Sequence, residues 1–570
     1  MKKVKNVKNE KNVKNVKRVK RVKNLGGSVF VFCFLFFVFF AKGEVWGQEK
    51  VTKGMDSVAI RNSLDLIGLP FTMAEVLQMQ KGIADQKKSF ESLRGTLIPN
   101  QWVPALTFNP LPPGYQTPEF KERLEWPRME KIGRPANDAD LAFLTVPELA
   151  NLISTKQVTS TELTKVYIKR LKQYRDTLLC VVTITEALAL KQAAQADQEI
   201  ASGNYKGLLH GIPYGVKDLM SVPGYPTTWG AMPYKDQTIN ETAHVVKKLT
   251  EAGAVLVAKL TSGALAMGDV WFGGTTRNPW NLKRGSSGSS AGPASATAAG
   301  LVAFAIGTET LGSIVSPSTR CGVTGLRTTY GRVGRTGTMA LSWSMDKIGP
   351  ICRNALDCAI VLNAIYGPDP QDPATNTIGF TYKPLKTLKG LKIGYLKQSD
   401  SATLEVFRSL GANLTPVDLP GEFPIQAMRI ILTAEAAAAF DDLTLSNRDS
   451  LLNAQSENDW PNTFRTARLI PAVEYIQANR IREQLIISTN RIMEGFDFII
   501  TPSFAGNQLT LTNLTGHPCL VIPNGFDKNG NPLSISLIGN LYREDILCEV
   551  GTLYQDKTQI FRKKPIFFSK

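Results

Sequence analysis

Histidine is scarce in this chain, with three residues in 570: His210, His244 and His517. A Ser-His-Asp hydrolase must draw its base from these three, and none has an obvious acidic orienter nearby in sequence, although spatial pairing stays open. A base other than histidine is therefore attractive. The chain also lacks any C-x-x-C pair and any Cys/His cluster with metal-ligand spacing, so no metal site is expected. No Gly-Lys-Ser/Thr follows a four-residue gap in its Gly-rich stretch, which argues against a P-loop. No cofactor is expected on either ground. Beyond the N-terminus there is no basic patch interleaved with aromatics, and nucleic acid is not an expected partner. No internal repeat is visible.

The rest is an ordinary globular composition, 43% apolar and 20% charged, enough for a substantial core. The formal net charge of +17 is unevenly placed. Residues 1–47 hold twelve Lys/Arg and two acids, so ten of the seventeen charges lie there. Lys2 to Lys23 is a Lys-Asn-Val repeat, followed by a thirteen-residue apolar run, Val29 to Ala41. Such a run is about 20 Å long as a helix, against about 30 Å of hydrocarbon. It suits a signal-peptide core better than a membrane span. Val45-Trp46-Gly47 fits a cleavage pattern, and the reading is an exported mature protein starting near Gln48, with membrane contact only if the leader is kept. Six cysteines follow the leader, Cys180, Cys321, Cys352, Cys358, Cys519 and Cys548; most sit in apolar contexts and read as buried free thiols.

Residues 48–137 read as an N-terminal extension. Thr72-x-x-Glu75 is a capping box opening a helix to about Leu93, and Pro99 to Pro127 is proline-rich and predicted to run extended over the surface. Residues 138–570 read as the catalytic domain. It opens with two more capping boxes, Thr145-x-x-Glu148 and Thr159-x-x-Glu162. Helices are predicted over Ala187 to Ala201, His244 to Ala252, Ala434 to Phe440 and, as one helix or a broken pair, Ile470 to Met493. Strands are predicted at Gly211 to Val216, Ala254 to Ala258, Leu391 to Leu396, Phe498 to Pro502 and Cys519 to Pro523. This alternation implies an α/β sandwich with a largely parallel, buried sheet.

The chain is organised around Gly285 to Tyr330, where two Gly/Ser loops flank a small-residue segment and a short apolar run. Such loops suit a backbone that approaches a ligand closely or points several N–H groups at one spot. Gly288-Ser289-Ser290-Ala291-Gly292 matches the G-x-S-x-G elbow, but an elbow needs a buried strand before it, and Arg277 to Arg284 is polar and proline-broken. The other reading places the nucleophile, Ser313, in the second loop, served by Ser289 in the first.

On these residues the chain resembles the amidase signature family, serine hydrolases with a Ser–cisSer–Lys triad. The likeness also rests on His210-Gly-Ile-Pro-Tyr-Gly-Val-Lys217-Asp218, on Cys321-Gly-Val-Thr-Gly-Leu326 and on Asn513-Leu-Thr-Gly-His-Pro518, all in the family's order. The resemblance implies an α/β/α sandwich with one large mixed, mostly parallel sheet covered by helices on both faces. It implies Ser313 as nucleophile, Ser289 as the bridging serine after a cis Gly288 peptide, and Lys217 as base. The backbone of Thr310, Leu311 and Gly312 would supply an oxyanion hole. As a base near neutral pH, Lys217 must lose its proton, which burial can bring about.

Three positions depart from the family's pattern: Glu309 where Asp is usual, Leu311 where Gly is usual, and Val315 where Arg is common. Val315 weakens a grip on the carboxylate of glutamine. The reading is an exported amidohydrolase of a small-molecule carboxamide, with the glutaminase component of a tRNA-dependent amidotransferase as the alternative. A catalytically inactive binding protein of the same fold comes third. Oligomeric state is left open.

Overall fold

The computed structural model describes residues 56–569, except 97, 103 and 121–123. The expected leader and the cleavage point at Gln48 lie outside the described residues.

Eleven strands form one sheet. In chain order they are β1 (Val181–Ile184), β2 (Pro213–Lys217), β3 (Val255–Leu260), β4 (Phe304–Glu309), β5 (Thr324–Arg327), β6 (Lys347–Cys352), β7 (Ile393–Tyr395), β8 (Leu414–Pro416), β9 (Phe498–Pro502), β10 (Cys519–Phe526) and β11 (Pro532–Gly539). Across the sheet they run β1-β3-β2-β4-β6-β5-β10-β11-β9-β7-β8. The central strands are buried along their whole length, which is why Val255–Leu260 and Phe304–Glu309 read as short apolar runs rather than alternating ones.

Helices cover both faces. Tyr214, Val216, Phe304 and Ile306 turn to the face packed by helices Ala355–Ile365 and Glu544–Thr558. Val255, Val257 and Ala305 turn to the other face, against Leu171 and Leu178 of helix Ser160–Leu178 and Ala189 and Ala193 of helix Glu186–Ala201.

The sheet is mixed, as expected, but parallel pairs are not the majority. Four neighbouring pairs are parallel and six antiparallel. One of the six is a local hairpin: β10 and β11 are joined by a tight turn over residues 527–531, which returns the chain antiparallel without a crossover. An apolar run buried on both faces carries no mark of its direction.

All three capping boxes close, at Thr72/Glu75, Thr145/Glu148 and Thr159/Glu162. Residues 470–493 give one helix, Ala472–Met493, and the small-residue segment after the first serine loop is itself a helix, Ala291–Ala298. Ahead of the sheet, helices Ser57–Leu66 and Met73–Arg94 bury Ile60, Leu64 and Val76 against each other. Described residues between 98 and 137 form no helix or strand. They run as a strap tied to the rest of the chain: the Tyr115 hydroxyl donates to Leu541 O at 3.1 Å and Glu125 N–H to Tyr382 O at 2.8 Å. All six described cysteines are buried and unpaired.

Candidate active site

β2 and β4 lie side by side and parallel, and their carboxyl ends present Lys217 and Glu309. The carboxyl ends of parallel strands are where α/β sheets hold ligands, because the loops leaving them open a crevice. Lys217 is fully buried. Its Nζ lies 2.7 Å from Ser289 Oγ and 2.8 Å from Thr308 Oγ1. Desolvation pushes the amine down to about 7, against the opposing pull of Asp346 and Glu309. The neighbouring carboxylate does not neutralise it. Asp218 is taken by Lys259, 2.8 Å away, and by the N–H of Thr228 at 2.9 Å and its hydroxyl.

The first serine loop brings Ser289 to this amine. The Gly288–Ser289 peptide is cis. A Cβ on Gly288 would lie 1.8 Å from Gly268 O, so the loop passes there only because the residue has no side chain. Ser290 is committed elsewhere: its Oγ donates to Thr308 O at 2.9 Å and accepts from Thr308 N–H at 3.1 Å. The strand before the loop, Asn281–Gly285, belongs to a separate two-stranded sheet. The G-x-S-x-G match is thus a loop tied to β4, not an elbow on the main sheet.

The second loop turns between β4 and helix Val315–Cys321. Gly312 takes φ +86°, a conformation glycine adopts without strain, and Ser313 is 7% exposed. The two loops are joined by the Ser290 N–H, which donates to Ser313 O at 3.1 Å. Among the described residues no acceptor engages the N–H groups of Leu311, Gly312 or Ser313, whereas those of Ile314 and Val315 donate to Glu309 Oε2 at 2.8 and 2.9 Å. The free donors therefore cluster on the side of the turn expected to hold an oxyanion. The Thr310 hydroxyl is bonded to Asp346 at 2.5 Å.

Glu309 shows what its departure from the family pattern does. Its Oε1 accepts from Arg327 at 3.1 Å and from Asn513 Nδ2 at 2.8 Å, while Oε2 holds the turn. Burial raises this carboxyl, but Arg327 and the N–H donors outweigh it and keep it below its ordinary value. Val315 is buried with Cys519, Val521 and Leu509, so its surroundings are apolar. Through Glu309, Asn513 buttresses the turn that carries Ser313. Sequence reading misses Thr308 as a partner of Lys217 and Lys259 as the partner of Asp218; no local signal marks either.

The histidines are occupied elsewhere. His210 faces Glu199 at 3.0 Å and accepts from Lys206 N–H at 3.1 Å. His244 lies 3.6 Å from Asp369, and His517 pairs with the Thr515 hydroxyl at 2.8 Å. Among the described residues none is hydrogen-bonded to a serine. A cavity of about 270 Å³ reaches the site at Thr308 and Thr310, next to Lys217 and the Ser313 turn. Asp346 and Lys347 also line it. Burial pulls the Lys347 amine well below its ordinary value.

The family model for amidases matches residues 162–511. The A-type component of the glutamyl-tRNA(Gln) amidotransferase of Moorella thermoacetica is 31% identical over 484 residues, covering 75% of this chain and 99% of that protein. Its counterpart from Agathobacter rectalis is 32% identical over 480 residues, covering 74% and 95%. Among solved structures, the native peptide amidase of Stenotrophomonas maltophilia superposes with a TM-score of 0.66 at 29% identity, covering 73% of this chain and 97% of that one. An amidase family protein from Bacillus anthracis gives a TM-score of 0.67 at 27% identity, covering 76% and 95%.

Proposed function

The chain belongs to the amidase signature family of hydrolases acting on amide C–N bonds, and we propose that it cleaves small carboxamides through an acyl-enzyme on Ser313. Ser313 Oγ attacks the carbonyl carbon and passes its proton to Ser289 Oγ, which gives its own to Lys217 Nζ. The carbonyl oxygen gathers negative charge facing the Leu311 and Gly312 N–H groups. The C–N bond breaks as the relay returns the proton to the leaving amine. Water, activated by the same relay, then releases the carboxylate and restores Ser313.

The observation that carries this reading is the buried Lys217 amine, 2.7 Å from Ser289 Oγ and, among the described residues, with no carboxylate bonded to it. An amine brought to about 7 is about half unprotonated at neutral pH, so it can accept the proton the reaction needs. Fluorophosphonate labelling tests the assignment. The parent chain and Ser290→Ala are expected to label, and Ser313→Ala is expected neither to label nor to hydrolyse amides. Activity of Ser313→Ala within about tenfold of the parent would exclude Ser313, because loss of a nucleophile costs several orders of magnitude.

The similarity to the A-type amidotransferase components favours a second reading, in which the amide is glutamine and the ammonia passes to a partner protein. Val315 argues against it, because an apolar side chain in an apolar cluster stands at the position from which a cation would meet a glutamine carboxylate. Comparing ammonia release from glutamine with release from uncharged carboxamides separates the two. We also propose export, on the basic and apolar order of residues 1–47. N-terminal sequencing of native protein tests it: a start near Gln48 is expected, and an intact Lys-rich start in a cytoplasmic fraction would overturn it.

A further inference from the structure

The outer wall of the cavity is not built by the family core. Gln101 and Trp102 line it, and both precede residue 162, where the family match begins. They arrive on the N-terminal strap, which is fastened beside the cavity mouth by one side chain. Asn100 Oδ1 accepts from Ala340 N–H at 2.8 Å, and its Nδ2 donates to Ala340 O at 2.9 Å and Ala439 O at 3.3 Å. An amide side chain that pairs with both backbone groups of one residue fixes position and orientation together. Farther along, Phe108 meets Tyr330 edge-on at 4.9 Å and lies under the Arg482 guanidinium at 3.5 Å. The strap is thus anchored on both sides of Trp102.

Trp102 itself stays 58% exposed, although it lines the cavity. An indole that lines a cavity and is left half in water offers a flat face to an aromatic ring. The wall of the cavity carries a second indole, Trp343, whose buried Nε1–H has no acceptor among the described residues. Met339 and Leu341 add apolar surface to the same wall. At about 270 Å³ the space lies just below the usual range of ligand sites, which runs from about 300 Å³ upward, so it suits a small molecule.

We propose that Trp102, clamped by Asn100, is a specificity-determining residue that selects small carboxamides with an aromatic ring over aliphatic ones. The ring stacks on Trp102, and the amide turns toward Thr310, which lines the same cavity. The inference rests on the proposed hydrolase reading for its chemistry, but binding tests it separately. The experiment uses the full chain carrying Ser313→Ala for equilibrium binding, and the chain with Ser313 intact for kinetics. Benzamide and propionamide are the two probes.

The benzamide-to-propionamide ratio of binding constants is expected to fall at least tenfold in Trp102→Ala, and the same ratio of kcat/KM to fall in parallel, carried by KM. Trp102→Phe, which keeps a flat face, is expected to hold the ratio within about threefold. Asn100→Ala is expected to fall between them. Urea midpoints report whether each variant folds, and an exposed position such as Trp102 is expected to leave them unchanged. A ratio that survives Trp102→Ala within twofold, or that is lost equally in Trp102→Phe, overturns the assignment. Parent protein that binds benzamide through Trp102 yet hydrolyses neither amide would overturn the proposed cleavage of small carboxamides and leave the wall intact.

Discussion

Lys217 and Lys259 sit on adjacent strands, both fully buried, and differ in what they face. Lys259 has three acceptors: Asp218 at 2.8 Å, Thr227 Oγ1 at 2.6 Å and Pro226 O at 2.6 Å. Three acceptors match the three protons of an ammonium, and one of them is a carboxylate. Lys217 has two hydroxyls, which donate as readily as they accept, so its site suits an amine that exchanges a proton. Desolvation lowers both lysines, and at Lys259 Asp218 opposes it directly. The difference teaches that burial alone does not make a base. What matters is whether the fold also withholds the counter-charge.

The largest expected effect separates the two by substitution. Lys217→Ala is expected to lower kcat/KM by about a thousandfold or more, since a positioned base contributes about 10²–10⁴ and no histidine is placed to replace it. Stopped assays on purified variant check it. Lys259→Met is expected to act on folding instead. It leaves Asp218 buried without its cation, which destabilises by about 3–5 kcal/mol, read from urea unfolding. If Lys259→Met abolished turnover in a fully folded protein, the division of roles between the two lysines would collapse.

A smaller effect lies in the pH profile. In the proposed reaction Lys217 works unprotonated, and its folded value is depressed to about 7. The rate is therefore expected to rise about tenfold per unit below pH 7 and to flatten above it. A profile still climbing steeply at pH 9 would mean that the amine is not withheld from its proton. The smallest effect belongs to Thr308→Val, which removes one of the two hydroxyls at Lys217. A lost hydrogen bond of about 0.5–1.5 kcal/mol corresponds to a fall of about tenfold or less in kcat/KM.

Much of this site is legible from residues in order. Lys217, Ser289 and Ser313 stand in local patterns whose glycines and serines imply loops of special shape, and the structure gathers Lys217 and Ser289 into one contact. The capping boxes are equally legible, because both partners lie within four residues. Thr308 is not, since its contact with Lys217 spans 91 residues and depends on the register of β2 against β4. The same holds for Asp218 and Lys259, and for strand direction, which depends on connections rather than composition. The prolines of the strap predict that it runs extended. Nothing in those prolines says that Asn100 fastens it beside the cavity.

The six buried cysteines have a practical consequence. Burial raises every one of these thiols, Cys180 to about 12, so almost none is thiolate in the native state at neutral pH. They are spread from the residue before β1, through β6 and β10, to helix Glu544–Thr558. A thiol reagent added to native protein therefore reads only those moments when a region opens, and its pace becomes a clock for opening, region by region. The enzyme carries its own set of reporters for that measurement, with no engineered probe needed.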